Sequence, residues 1–261
     1  MVTVWVQGRK GVSQRFDGIE AVVFDKDGTL ASVEAYLADL YKERLRQLLL
    51  APSAPLALQF GVVGAESIDP AGLLAVGSRL DNEIVAAAHL AQTGLPWITA
   101  LKQAQAGFET ASAQLRQKAT QTPLIPGALS LVQRLRAAQV KCAIASSDTQ
   151  AEVNSFIEVH RLADRFECWQ GVQSERPDKT DPRFLQRVCQ QLDVPPAQTL
   201  VVGDSAADAA MASAGKSAGF IGFTGGWSCL LALSFPVSPN RWVTVNDFDQ
   251  IHIEGQASSP R

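Results

Sequence analysis

A chain of 261 residues that is 46% hydrophobic and 19% charged can bury a substantial core, and suits one domain or one domain carrying an insertion. Its formal charge of -3, with a pI near 5.7 and no run of Lys or Arg, offers nothing to attract nucleic acid or an acidic membrane surface. The start MVTVWVQGRK has no apolar core of signal-peptide length, and the longest apolar stretch, from Trp227, is too short and interrupted to cross a bilayer, so a soluble, cytoplasmic protein is expected.

Taken in chain order, Val2, Val4 and Val6 alternate with Thr3, Trp5 and Gln7 before a GRKG turn and a second extended stretch, predicting an N-terminal hairpin or an added edge strand. Ala21 to Phe24 is a short continuous apolar run, as in a buried parallel strand, and Gly28 breaks it soon afterwards. Leu37, Leu40, Tyr41, Leu45, Leu48 and Leu49 then recur at helical steps. Helical signals continue through Leu80 to Gln92 and, opened by Pro96, toward Ala119, with no convincing strand between them.

Pro123 and Pro126-Gly127 mark a change to helix-strand alternation. Helices are predicted at Ala128 to Ala138, Gln150 to Arg161, Pro182 to Leu192 and Ala206 to Ala214, with strands at Val140 to Ala145, Thr199 to Gly203, Ala218 to Gly222 and Arg241 to Val245. The fold class is therefore α/β, a doubly wound parallel sheet formed by residues 1–32 and 123–261, with an inserted all-helical domain over 33–122. Only the tail GQASSPR looks disordered. The four cysteines, at 142, 168, 189 and 229, lack CxxC spacing and read as reduced core residues.

The chemistry concentrates in four places. Asp25 and Asp27 stand at the carboxyl end of the first parallel strand, where open α/β sheets bind ligands, so one carboxylate can attack phosphorus while the other transfers protons. Ser146 follows the next strand, where its hydroxyl and neighbouring amides can bind phosphate oxygens. Lys179 lies just ahead of the helix beginning at Pro182. Asp204 and Asp208 follow the strand ending at Gly203, a strand-Gly-Asp arrangement suited to a metal. A phosphate monoester repels an anionic nucleophile, so positive charge must be supplied. Asp25, Asp204 and the backbone carbonyl of Asp27 form a plausible Mg²⁺ set, with Asp208 orienting the ligands. Lys179 would bind the transferring phosphoryl oxygens and restrain Asp25, with Ser146 and local amides on the remaining oxygens.

In this order and spacing FDKDGTL, IAS at 144 to 146, Lys179 ahead of Pro182, and VVGDSAAD resemble the four motifs of haloacid dehalogenase-like phosphatases. The resemblance implies Asp25 as phosphorylated nucleophile and Asp27 as general acid, then general base. It also completes the phosphate-binding set as Thr29, Ser146, Ser147 and Lys179, and the metal set as Asp25, Asp27, Asp204 and Asp208 around Mg²⁺. An aspartate two positions after the nucleophile is typical of phosphatases and mutases in this family, which argues against dehalogenation. The insert resembles a C1 cap, and the whole looks similar to phosphoglycolate phosphatases. A small phosphorylated metabolite is the expected partner, with 2-phosphoglycolate first and a β-phosphoglucomutase-like phosphotransfer or a sugar-phosphate or nucleotide phosphatase as alternatives. The expected assembly is a monomer or homodimer.

Two features depart from the family pattern: Ser146 stands where Thr is commoner, and no proline directly follows Lys179, which leaves Arg176 as a fallback cation. In the insert, Arg79 could meet a substrate carboxylate, Glu34 lies in the hinge and Trp97 could line a pocket. The GFTGG turn at 222 to 226 is kept out of the site, and His89, His160 and His252 are assigned no chemistry.

Overall fold

The computed structural model describes residues 2–64, 67–115, 117–172, 179–229 and 242–255. Two strands open the chain, β1 (Val2–Gln7) and β2 (Ser13–Ile19), and β3 (Ala21–Phe24) follows with all four residues buried. Next come α1 (Glu34–Leu48), α2 (Ala54–Phe60), the two-residue strands β4 (Val62–Val63) and β5 (Ser67–Ile68), α3 (Leu73–Val76), α4 (Arg79–Gln92), α5 (Trp97–Gln114) and α6 (Lys118–Gln121). The remainder alternates: α7 (Ala128–Ala137), β6 (Lys141–Thr149), α8 (Gln150–Val159), β7 (Cys168–Val172), α9 (Pro182–Leu192), β8 (Thr199–Gly203), α10 (Ala206–Ala214), β9 (Gly219–Phe223), β10 (Trp242–Val245) and β11 (Ile251–Gly255).

Six strands form one sheet in the order β10-β9-β8-β3-β6-β7, every adjacent pair parallel. From β3 the chain first builds toward β6 and β7, then returns to lay β8, β9 and β10 on the other side. The reversal falls between β3 and β8, and sheets of this kind take their ligands beyond the carboxyl ends of the strands at such a point. On one face Ala21, Val23, Ala143 and Val201 pack with Phe184, Leu185, Val188 and Leu192 of α9 and Ala209 and Met211 of α10. Strands buried on both faces explain why their sequences read as continuous apolar runs rather than alternating ones.

The chain divides into two compact units. The first joins residues 1–32, 123–226 and 232–261, and the insertion is accommodated because its ends are adjacent: the Ser32 amide donates to the Pro123 carbonyl at 2.8 Å. The N-terminal hairpin belongs to this unit but not to the main sheet. It forms a separate antiparallel sheet, β11-β1-β2, whose third strand occupies a place near the end of the chain for which no strand was expected. Of the expected disordered tail, Gly255 ends β11 and residues 256–261 lie outside the described residues, as does Arg241 at the start of the last predicted sheet strand.

The second unit comprises 33–122 together with 227–231. Its core holds Leu37, Tyr41, Leu45 and Leu48 from α1 against Leu56, Phe60, Ala87, Leu90, Ala104 and Phe108. The expectation of an all-helical insert is corrected by β4 and β5, an antiparallel pair too short for alternation to be visible in sequence. The helix expected to run from Pro96 toward Ala119 ends at Gln114. Trp227 joins this core, and Glu34 accepts hydrogen bonds from the Ile68 amide at 2.9 Å, the Ser228 amide at 2.9 Å and the Ser228 hydroxyl at 2.7 Å.

Candidate active site

The site is built at the carboxyl end of the main sheet. Phe24 pairs in register with Ile144 and with Val202, so Asp25, Ser146 and Asp204 lie one or two residues beyond these last paired positions on three adjacent strands. The Asp25 amide donates to the Val202 carbonyl at 2.8 Å, which continues the pairing one residue beyond β3 and fixes the backbone from which the Asp25 side chain projects. Behind it the chain turns tightly: the Leu30 and Ala31 amides both donate to the Lys26 carbonyl, and Gly28 adopts a φ of 81°. Gly226, from the GFTGG turn, lies so near Gly28 that any β-carbon there would run into the Gly28 carbonyl. That turn therefore backs the Asp25 loop, although taken alone its sequence reads only as a turn.

Asp25, Asp204 and Asp208 are all buried and offer carboxylate oxygens within 4.8 Å of one another. Asp208 is held by a reciprocal cap at the start of α10: Ser205 donates its hydroxyl at 2.6 Å and its amide at 3.0 Å to Asp208 Oδ2. Gly203 makes room for that carboxylate, since a β-carbon would overlap it. Lys179, only 4% exposed, lies between Asp25 Oδ1 and Asp208 Oδ1, the latter at 2.6 Å. Thr29 is fully buried with its hydroxyl donating to Asp204 Oδ1 at 3.4 Å, so its side chain positions an acid instead of facing a phosphate, as the motif had implied.

Burial pushes the Asp25 carboxyl up to about 6; Lys179 pulls against this rise and Asp208 adds to it. Burial opposes the Lys179 ammonium, but Asp208 and Asp25 outweigh it and raise the group above the ordinary lysine range. Among the described residues, three carboxylates face one ammonium, an excess of two negative charges in a buried site. In addition, Asp25 Oδ2 is buried without a hydrogen-bond partner among the described residues. A hard divalent cation held by carboxylate oxygens answers both conditions, so the donor set fits Mg²⁺.

The second motif leaves the sheet as a bulge. Between Ala145 and Thr149 the β6 strand spends four steps against the two from Gln170 to Val172 on β7, which frees residues 146 to 148 from regular pairing. Ser146 is buried and accepts from the Asp148 amide at 3.1 Å, whereas Ser147 is exposed at the same sheet end. The Asp27 side chain is not in the three-acid group. It pairs with Lys26, a residue to which sequence reasoning gave no role, and Lys26 Nζ also meets Asp148 Oδ2 at 2.8 Å. Of the other candidates, Arg79 Nε donates to Glu83 within its own helix at 2.7 Å, Trp97 is largely exposed and Arg176 lies outside the described residues. His160 packs on Phe156 and His252 on Trp5.

The family model for haloacid dehalogenase-like hydrolases matches residues 19–216. The chain belongs to that family. Solved structures agree on the fold: a proposed haloacid dehalogenase-like hydrolase from Bacteroides fragilis superposes with a TM-score of 0.63 at 20% identity, over 88% of this chain and 99% of the other. A predicted phosphoglycolate phosphatase from Haemophilus somnus 129PT gives 0.63 at 18%, over 88% and 95%. A proposed β-phosphoglucomutase from Thermotoga maritima gives 0.60 at 16%, over 89% and 96%. No curated protein matches. No helix among the described residues is long and apolar enough to cross a membrane.

Proposed function

We propose that this hydrolase is a Mg²⁺-dependent phosphatase of small phosphate monoesters, with Asp25 as nucleophile and the 33–122 unit as its cap. The observation that carries the reading is the buried Asp25 carboxylate, tied by Oδ1 to Lys179 and left with Oδ2 unpartnered among the described residues. One oxygen of the Asp25 carboxylate attacks phosphorus, the bond to the leaving oxygen breaks with its electron pair on that oxygen, and Asp27 supplies the proton. Asp27 then takes a proton from water as the water oxygen attacks the aspartyl-phosphate, which releases inorganic phosphate and restores Asp25. Lys179 holds the nucleophile and faces phosphoryl oxygens, with Ser146, Ser147 and the bulge amides donating to the others.

Asp25 and Asp204 would hold Mg²⁺, with Asp208, whose Oδ1 meets the Lys179 ammonium and whose Oδ2 accepts from Ser205, orienting Lys179. When bound, the ion supplies positive charge against the phosphoryl oxygens and draws the nucleophile to its ionised form. Thr29 steadies Asp204.

Among substrates 2-phosphoglycolate stands first, in keeping with the name carried by the Haemophilus neighbour. The phosphotransferase alternative shares every residue above and differs in what accepts the phosphoryl group. A phosphate-release screen over alkyl, sugar and nucleotide monoesters, run beside an isomer-conversion assay on sugar phosphates, separates the two. Net phosphate release that EDTA suppresses and Mg²⁺ restores is expected. Isomer conversion without net release would overturn the hydrolase reading.

A further inference from the structure

Lys26 is the one residue between the two motif aspartates, and it is 1% exposed. Burying an ammonium costs several kcal/mol unless its partners are well placed, and an apolar side chain of similar volume would avoid that cost. Here the partners come from two loops. Nζ reaches Asp27 Oδ1 on its own loop and Asp148 Oδ2, at 2.8 Å, on the β6 bulge, while the Phe156 ring of α8 covers it at 5.3 Å. The three groups are graded in exposure: the Lys26 side chain is 2% exposed, Asp148 15% and Asp27 23%. The ammonium is thus sealed inside, out of a substrate's reach, and Asp27 is its more open end.

Resting on the phosphatase reading above, we propose that Lys26 is a positioning residue for leaving-group protonation and that Asp148 anchors it. An ammonium has three N–H donors on a point charge, so it can hold two carboxylates at once. Asp148 keeps Nζ from following Asp27, and Asp27, on a loop that turns at Gly28, is confined to one direction. Proton delivery by such a group contributes about 10²–10⁴-fold, and a displacement of about 1 Å can forfeit about 10²-fold.

The test compares 2-phosphoglycolate, or whichever alkyl monoester of the panel the wild type turns over fastest, with p-nitrophenyl phosphate, whose phenolate departs without being protonated. The readout is kcat/KM, which covers steps only through departure of the leaving group, so the later water attack does not enter. In Lys26→Met, kcat/KM for the alkyl ester should fall by about 10²-fold and that for the aryl ester by less than about five-fold. Asp148→Asn should show the same selectivity at about ten-fold, and Lys26→Arg should recover part of the alkyl rate. The double variant Lys26→Met with Asp148→Asn should be no worse than Lys26→Met, because Asp148 acts through Lys26. It also removes the buried charge together with its anchor, so it and Asp148→Asn read the effect even where Lys26→Met alone fails to fold. Equal losses on both esters, or an unchanged alkyl rate, would overturn the proposal and leave the phosphatase reading standing. Phosphate release surviving Asp25→Asn, or absent in the wild type, would instead remove that reading and this inference with it.

Discussion

Asp25 carries two opposed demands in one side chain. As the proposed nucleophile it must be ionised to attack, yet the same burial that shields it from water favours its protonated form and sets its carboxyl at about 6. A folded-state value raised above the ordinary 3.8 contributes stability that is present at low pH and lost as pH rises through the folded value. In EDTA-treated protein, Asp25→Asn should therefore gain on the wild type between about pH 4 and about pH 7, by on the order of a few kcal/mol, and level off above that, when denaturant midpoints are compared. A difference constant across that range would show that burial leaves the Asp25 carboxyl at its ordinary value. The same variant should lose at least about a thousand-fold in turnover, because a neutral amide cannot replace the nucleophile.

At the scale of single elements, α10 illustrates how a helix start serves chemistry. Ser205 and Asp208 cap it reciprocally, and the carboxylate so fixed is the one that meets Lys179. Ser205→Ala should cost about 1 kcal/mol in urea denaturation and should also lower kcat/KM, whereas a simple cap would affect stability alone. A second expectation concerns the packing of β6 and α9. Burial pushes the Cys142 thiol up to about 12 and raises that of Cys189, so both stay protonated at ordinary pH. Iodoacetamide at about pH 8, where roughly one Cys142 in 10⁴ is thiolate, should leave both unmodified in native protein by peptide mass analysis.

These elements also show what a sequence discloses. The acids at 25, 204 and 208 and Lys179 were legible because few residue types can do their chemistry, and each follows a strand or opens a helix whose pattern is plain. Lys26 was not, because a lysine between two aspartates reads as a spacer until burial is known. β11 and the 227–231 segment were missed for another reason: each is defined by a partner far away in the chain, β1 for one and Glu34 for the other, and local periodicity carries no record of such a partner. Thr29, expected on the phosphate, donates to Asp204, a matter of side-chain direction that spacing does not encode.

At the scale of the whole molecule, the charge imbalance of the site should appear as a stability that depends on metal. If Mg²⁺ binds the native three-acid group, a concentration of about 100 times its Kd should add about 2.7 kcal/mol. The thermal midpoint should rise accordingly in the wild type and should not move in Asp204→Asn. An equal rise in both proteins would place the ion elsewhere.

The central strand of the main sheet is also the first one made, and this has a consequence for biosynthesis. Ala21 to Phe24 must wait for Lys141 to Ile144 on one side and Thr199 to Val202 on the other, separations that give the strand ahead of Asp25 a high contact order. A ribosome must translate as far as Val202 before the last of these flanking segments can pair with it. Until then the buried apolar run Ala21–Phe24 lacks both of its neighbours, which leaves it open to a chaperone's cover during synthesis.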